Sequence, residues 1–290
     1  MISLPALQAL IASGEETILV VRSPAQLGLA GYIPGLSGTI SEPDFLSQPL
    51  PPGSRYLNMR DHPLQTEYRW DTPEFKNLYP DYLIMEVAAH IAADKGIVCD
   101  FSTLRPLPYR TVSQLHDQIL LVPGSSHDVK RWPTQHWLTL AERLHGRVLV
   151  IGEPDKSPPV HELLRAGLRH WPTPTFADLV DAVSSALSVV SIDTGPMHLS
   201  IHQGTPTIGL YLNEPFYMRR EKNAAAVTAP ACGSRCFDLS MEEPLNEDVE
   251  WQSWAPLKNW QCQETEAERC MTQISVDAVL DKLKTPEPVR

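Results

Sequence analysis

From residue 118 to residue 212 the chain switches repeatedly between two hydrophobic periods, and that alternation limits the possible folds more than any other feature. "QILLVPG" (118–124) is a short β-rich run closed by Pro-Gly. The segment that follows, "WPTQHWLTLAERLHG" (132–146), sets Trp137, Leu140, Ala141 and Leu144 at i, i+3, i+4, i+7 spacing, the stripe of an amphipathic helix. "RVLVIG" (147–152) predicts a strand, and "PPVHELLRAGLRHW" (158–171) a helix with proline in its first turn. "FADLVDAVSSAL" places Phe176, Leu179, Val180, Val183 and Leu187 on one helical stripe. After it come a strand "SVVSID" (188–193), a short helix "PMHLSIHQG" (196–204) ending at Gly204, and a strand "TPTIGLYL" (205–212). Strands alternating with helices imply βαβ units, a parallel sheet and right-handed crossovers. Ligands of such sheets bind beyond the carboxyl ends of the strands.

The first hundred residues are less regular. "TILVVR" (17–22), "SRYLNMR" (54–60) and "GIVCDF" (96–101) read as strands, and "PDYLIMEVAAHIAADKG" (80–96) as a helix. Five prolines between 34 and 52 predict an irregular connection there. A boundary falls in "STLRPLPYRTVSQLHD" (102–117), which divides the chain into residues 1–116 and residues 117–290. With 290 residues, 42% of them apolar, there is material for two domains of ordinary size. No run of eighteen apolar residues occurs, and "MISLPALQALIASGEETILVVR" carries no basic leader, so the expectation is a cytoplasmic protein without a membrane span. The formal charge of −11 argues against general nucleic-acid binding. It is unevenly spread: basic residues outnumber acidic ones over 105–147, which suits an anionic ligand, and the reverse holds from 238 onward.

Two strand ends carry chemistry. In "VPGSSHDVKRWP", Gly124, Ser125 and Ser126 form a small-residue turn whose N–H groups and hydroxyls can approach a phosphate, with Lys130 close behind to neutralise it. The eight-residue Walker pattern is absent, and a turn with a solvated lysine is the competing reading. In "SIDTGPMHLS", Gly195 and Pro196 suit the first turn of a helix, whose N-terminus attracts anions. The structural alternative is that Asp193 or Thr194 caps that helix and His198 packs. Because Asp193 would repel phosphate, it is expected not to be an anion ligand itself, leaving Gly195 and its neighbours to meet the anion.

"PGSSHDVKRWPTQHWLTLAERL", "VLVIGEPDK" and "LVDAVSSALSVVSIDTGPMHLSIHQGTPTIGLY" together resemble, in order and spacing, the heptosyltransferases of glycosyltransferase family 9. The likeness runs over roughly residues 118–284 and takes in "CGSRC" and "RCMTQISVDAVLDKL" near the C-terminus. It implies a GT-B-like α/β architecture, two Rossmann-like domains, with a reduced N-terminal domain on the acceptor side and the nucleotide-sugar held by the C-terminal one. It further implies that Ser125, Ser126 and Lys130 contact the donor diphosphate and that Asp193, Thr194, Gly195 and His198 surround the diphosphate and sugar. Glu153 or Asp155 would stand at the nucleoside. The family's opening strand, arginine and Leu-Gly-Asp are partly kept as Arg22 and Leu27-Gly28, but Leu29 stands where the family has its catalytic Asp. Leucine cannot take a proton. Asp61 and His62 in "NMRDHP", and Asp44 in "SEPDF", are the visible substitutes.

By that resemblance the activity is inverting transfer of a sugar, heptose from an ADP-linked donor, to an acceptor hydroxyl in lipopolysaccharide or another surface glycan. The partners would be a nucleotide-sugar and a glycan, lipid-linked or protein acceptor, without nucleic acid, at most peripherally at the inner membrane. The alternative is a nucleotide-sugar-binding protein or regulatory subunit that has lost its base. No cofactor is expected for transfer. Cys232, Cys236, Cys262 and Cys270 read either as a structural zinc or iron site or as plain reduced thiols, since their spacing is not a pair of Cys-x2-Cys knuckles. Trp251, Trp254 and Trp260 read as packing anchors.

Overall fold

The computed structural model describes residues 4–21, 24–57, 92–93, 96–98, 104–125, 130–212, 223–230 and 270–284. It divides into two compact units that change over between Leu107 and Pro108. In the first unit, α1 (Leu4–Ala12) precedes β1 (Ile18–Val21), α2 (Pro24–Ala30), β2 (Gly38–Ser41) and α3 (Glu42–Leu46). β1 and β2 pair in parallel, Ile18 opposite Gly38 through Val21 opposite Ser41. The proline-rich stretch is therefore not wholly irregular. Pro43 lies in the first turn of α3, where a missing N–H costs nothing, and Ser41 caps that helix by accepting from the Asp44 amide. Residues 54–57 and 96–98, read as parts of strands, are irregular, and of 80–96 only Ala92 and Ala93 are described as helical.

The second unit is the doubly wound module that the alternation predicts. It runs β3 (Ile119–Val122), α4 (Thr134–Arg143), β4 (Val148–Val150), α5 (Pro158–Arg165), α6 (Phe176–Ser185), β5 (Ser188–Ile192), α7 (Gly195–His202), β6 (Thr207–Tyr211), β7 (Ala224–Thr228) and α8 (Val276–Lys284). All five strands are parallel, in the order β4-β3-β5-β6-β7. β3, β4, β5 and β6 are buried at every position, which is why they read as apolar runs without alternation.

One face of the sheet packs under α4, α5 and α8. Trp137, Leu140, Val160, Leu163, Val279 and Leu280 meet Leu121, Val150, Ile192 and Leu210 in a single core. The Trp132 indole donates to the Ile274 carbonyl at 2.9 Å and so ties the segment before α8 to the start of α4. The other face is covered by α7, which packs on β5, β6 and α6. α5 is shorter than its sequence stripe predicts. It ends at Arg165 because Gly167 takes φ 95°, after which the chain turns to pair His170 with Val150.

Candidate active site

The strand order reverses direction between β3 and β5: β4 lies on one side of that pair, and β6 and β7 on the other. At such a topological switch point the loops leaving neighbouring strands part in opposite directions and open a crevice at the carboxyl ends. Lys130 follows β3, and Asp193 follows β5. The structure brings the two together across 63 residues of sequence, with Lys130 Nζ 2.8 Å from Asp193 Oδ2. Both side chains are largely buried, 16% and 14% exposed. His198, in the first turn of α7, approaches the other carboxylate oxygen, Nε2 to Oδ1 3.4 Å.

Burial is the largest single influence on the Asp193 carboxyl and disfavours its charge. It is outweighed by the His198 hydrogen bond and by the charge and hydrogen bond of Lys130, so the group is held well below the usual carboxylate range. Asp193 is therefore ionised at any working pH and has little tendency to accept a proton.

Among the described residues neither Asp193 nor Thr194 caps α7, while His198 is buried. Thr194 occupies the N-cap position of α7, but its hydroxyl turns back to the Ile192 carbonyl at 3.2 Å and caps nothing. Asp193 spends its oxygens on Lys130 and His198 rather than on helix N–H groups. Among the described residues the terminus of α7 has no side-chain cap, and a Cβ added at Gly195 would meet nothing within 4 Å. An uncapped helix N-terminus facing open space, beside a buried ammonium, is electrostatically suited to an anion.

The far end of α7 is fixed. Ser200 Oγ bonds the Met197 carbonyl and the Thr207 hydroxyl, each at 2.8 Å. Asn223 Nδ2 donates to the carbonyls of Ile201 and Thr205 at 3.1 and 2.8 Å, and Gln203 Nε2 reaches Ser184 Oγ at 2.8 Å. Every residue of α7 from Met197 to His202 is buried, so the helix shows no apolar stripe.

Ser125 is half-buried just beyond β3, and Ser126 lies outside the described residues. In the turn before it, a Cβ on Gly124 would stand 2.9 Å from Ser157 Oγ, so a larger residue would have to turn that hydroxyl aside. Glu153 and Asp155 are exposed beyond β4, one strand over from β3. Glu153 pairs with Lys156, Nζ to Oε2 2.5 Å. Of the proposed bases, Asp61 and His62 lie outside the described residues. Asp44 accepts from the Ser41 hydroxyl within the α3 cap. Leu29 is a half-buried residue of α2.

Cys270 is buried in the core beneath α8, and Cys232, Cys236 and Cys262, like Trp251, Trp254 and Trp260, lie outside the described residues. Among the described residues no group of three or more His, Cys, Asp or Glu could hold a metal ion. Nor is any described helix long and apolar enough to cross a membrane. Sequence reasoning passed over Tyr211, at the end of β6. The available signal was a phenol at the carboxyl end of an otherwise apolar buried strand, in line with Asp193.

A doubly wound parallel module with a buried ammonium beside a helix terminus at its switch point places the second unit in the Rossmann-like class of α/β folds. The model of glycosyltransferase family 9 (heptosyltransferase) matches residues 76–229, more than half of the sequence, and the chain belongs to that family. The match begins earlier than the motifs above and stops short of the cysteine-bearing tail. No curated protein matches the chain by sequence.

Among solved structures, the glycosyl transferase family 9 protein from Veillonella parvula superposes with a TM-score of 0.67 at 14% identity, over 98% of this chain and 92% of that one. E. coli heptosyltransferase WaaC with ADP-2-deoxy-2-fluoro heptose gives 0.61 at 15%, over 98% and 94%. The dodecameric iron-containing heptosyltransferase TibC in complex with ADP-D-beta-D-heptose gives 0.58 at 14%, over 97% and 71%. At these identities the likeness shows the shared fold, an α/β architecture of the GT-B-like kind.

Proposed function

We propose that this glycosyltransferase moves a heptose from an ADP-linked donor to an acceptor hydroxyl, inverting the anomeric centre, in the assembly of lipopolysaccharide or another surface glycan in the cytoplasm. The observation that carries the reading is the Lys130–Asp193–His198 cluster beside the uncapped terminus of α7. In this reading the diphosphate lies on Gly195, Lys130, His198 and the hydroxyls of Ser125 and Ser126. Thr194 and Asp193 border the sugar, and Glu153 or Asp155 stands at the nucleoside. As the glycosidic bond breaks, negative charge grows on the leaving diphosphate. Donors already aimed at that position stabilise it more in the transition state than in the ground state. Asp193 is unsuited to deprotonating the acceptor, since its carboxyl is held well below the usual range. That task falls to Asp61 or His62. The four cysteines are read as a structural zinc or iron site outside the transfer chemistry.

A second reading, a nucleotide-sugar-binding protein without turnover, is favoured by Leu29 alone. Thermal unfolding of the wild type with ADP, UDP and GDP and their sugars tests the donor site, because a ligand that binds only the folded state raises the melting temperature. ADP and ADP-heptose should do so, and a Lys130→Met/Asp193→Asn variant should lose the effect. A wild type that none of them stabilises would sink the donor-site reading. Saturable binding of ADP-heptose without hydrolysis or transfer would select the binding protein.

A further inference from the structure

Tyr211 has a buried hydroxyl with no use in the ligand-free molecule. The residue is 4% exposed, and its phenolic oxygen has no hydrogen-bond partner among the described residues. An unpaired buried hydroxyl is a cost that phenylalanine in the same place would avoid. Packing accounts for the ring: it lies back over Gly209, its Cε2 2.5 Å from where a Cβ there would stand, and touches Met197 in the first turn of α7. Packing does not account for the oxygen.

Its place in the sheet is specific. β5 and β6 are in register from Val189 opposite Thr207 to Ile192 opposite Leu210. Asp193 leaves β5 directly after Ile192, and Tyr211 closes β6 directly after Leu210. Ile192 and Leu210 face the core under α4, α5 and α8, so the next residues out face the α7 side, where Tyr211 meets Met197. Burial, and after it the charge of Asp193, raise the phenol's pKa well above its ordinary value, so it remains a donor at working pH.

Lys130 is committed to Asp193 in this state. An arriving diphosphate carries more negative charge than one carboxylate, and a flexible ammonium will turn toward it. Among the described residues Asp193 would then keep only the 3.4 Å contact with His198, and a buried carboxylate stripped of its counter-charge is costly. We propose that Tyr211 is a positioning residue: its hydroxyl replaces the Lys130 ammonium as donor to Asp193 when Lys130 engages a bound diphosphate. The proposal rests on the donor-site reading above and adds an exchange of partners to it.

The test is calorimetric binding of ADP, and separately of inorganic pyrophosphate, to wild type, Tyr211→Phe, Asp193→Asn and the double variant. Tyr211→Phe should bind both probes about tenfold more weakly, equivalent to about 1.4 kcal/mol, while melting no lower than wild type. In the Asp193→Asn background the same substitution should change binding less than twofold, because a neutral amide needs no replacement donor. Wild-type affinity in Tyr211→Phe overturns the proposal while leaving the donor site intact. Weaker binding that persists in the Asp193→Asn background, or that comes with a lowered melting temperature, assigns Tyr211 to packing and also overturns it. A wild type that binds neither probe overturns the donor-site reading and this proposal together.

Discussion

Removing the Lys130 ammonium should make the folded protein weaker at neutral pH than in mild acid, relative to wild type. At the observed 2.8 Å and an effective dielectric of about 20, the attraction between Lys130 and Asp193 is about 6 kcal/mol. Desolvation of both groups cancels part of it. Deleting one partner of a buried pair costs about 3–5 kcal/mol, mostly because the other charge stays buried. For Lys130→Met this corresponds to a fall in melting temperature on the order of 10 °C at neutral pH. The pH dependence follows from the direction of the Asp193 shift. In wild type the folded carboxyl lies below its unfolded value. Its contribution is therefore complete above an unfolded pKa of about 3.9 and is lost as pH falls through the folded value. Without Lys130, burial is opposed among the described residues by His198 alone, and the folded carboxyl rises. The folded variant then takes up a proton before folded wild type does, and acid relieves the strain. The gap between wild type and Lys130→Met should accordingly narrow from about pH 7.5 to about pH 4.5, and Asp193→Asn added to Lys130→Met should recover most of it. Circular-dichroism melts of the three proteins across that range make the check. A gap independent of pH, or no recovery in the double variant, would refute the electrostatic account.

Gly209→Ala should destabilise by about 1–3 kcal/mol, since the new methyl would stand 2.5 Å from Tyr211 Cε2 and 2.8 Å from Met197 Sδ. It should also weaken ADP binding by displacing the first turn of α7, and a melt with and without ADP reads both effects. Elemental analysis of protein purified without chelator should find about one zinc or iron per chain, lost on replacing Cys270 with serine. Absence of metal would return the cysteines to plain thiols.

The second unit was legible because its helices carry stripes and its strands do not alternate. Trp137, Leu140, Ala141 and Leu144 mark α4 plainly, and all of them are buried. α5 was overrun because Gly167 went unread as a stop. The β2–α3 segment was missed for the opposite reason: prolines counted as breakers, although Pro43 falls where a helix accepts one. At the site, Lys130, Asp193, Gly195 and His198 could each be named from local pattern. Their pairing could not, because it depends on which strands become neighbours. The carboxylate that looked misplaced before a helix terminus is neutralised by a lysine 63 residues away.

That separation bears on assembly. Lys130 and Asp193 lie on either side of α4, β4, α5 and α6, and they meet only when β5 has been laid against β3. A chain emerging from synthesis, or one that opens in part, has the lysine and the helix terminus but not the site. Ligand affinity is therefore a property of the finished winding, and any diphosphate compound that binds there acts as a thermodynamic clasp on the crossover that lays β5 against β3.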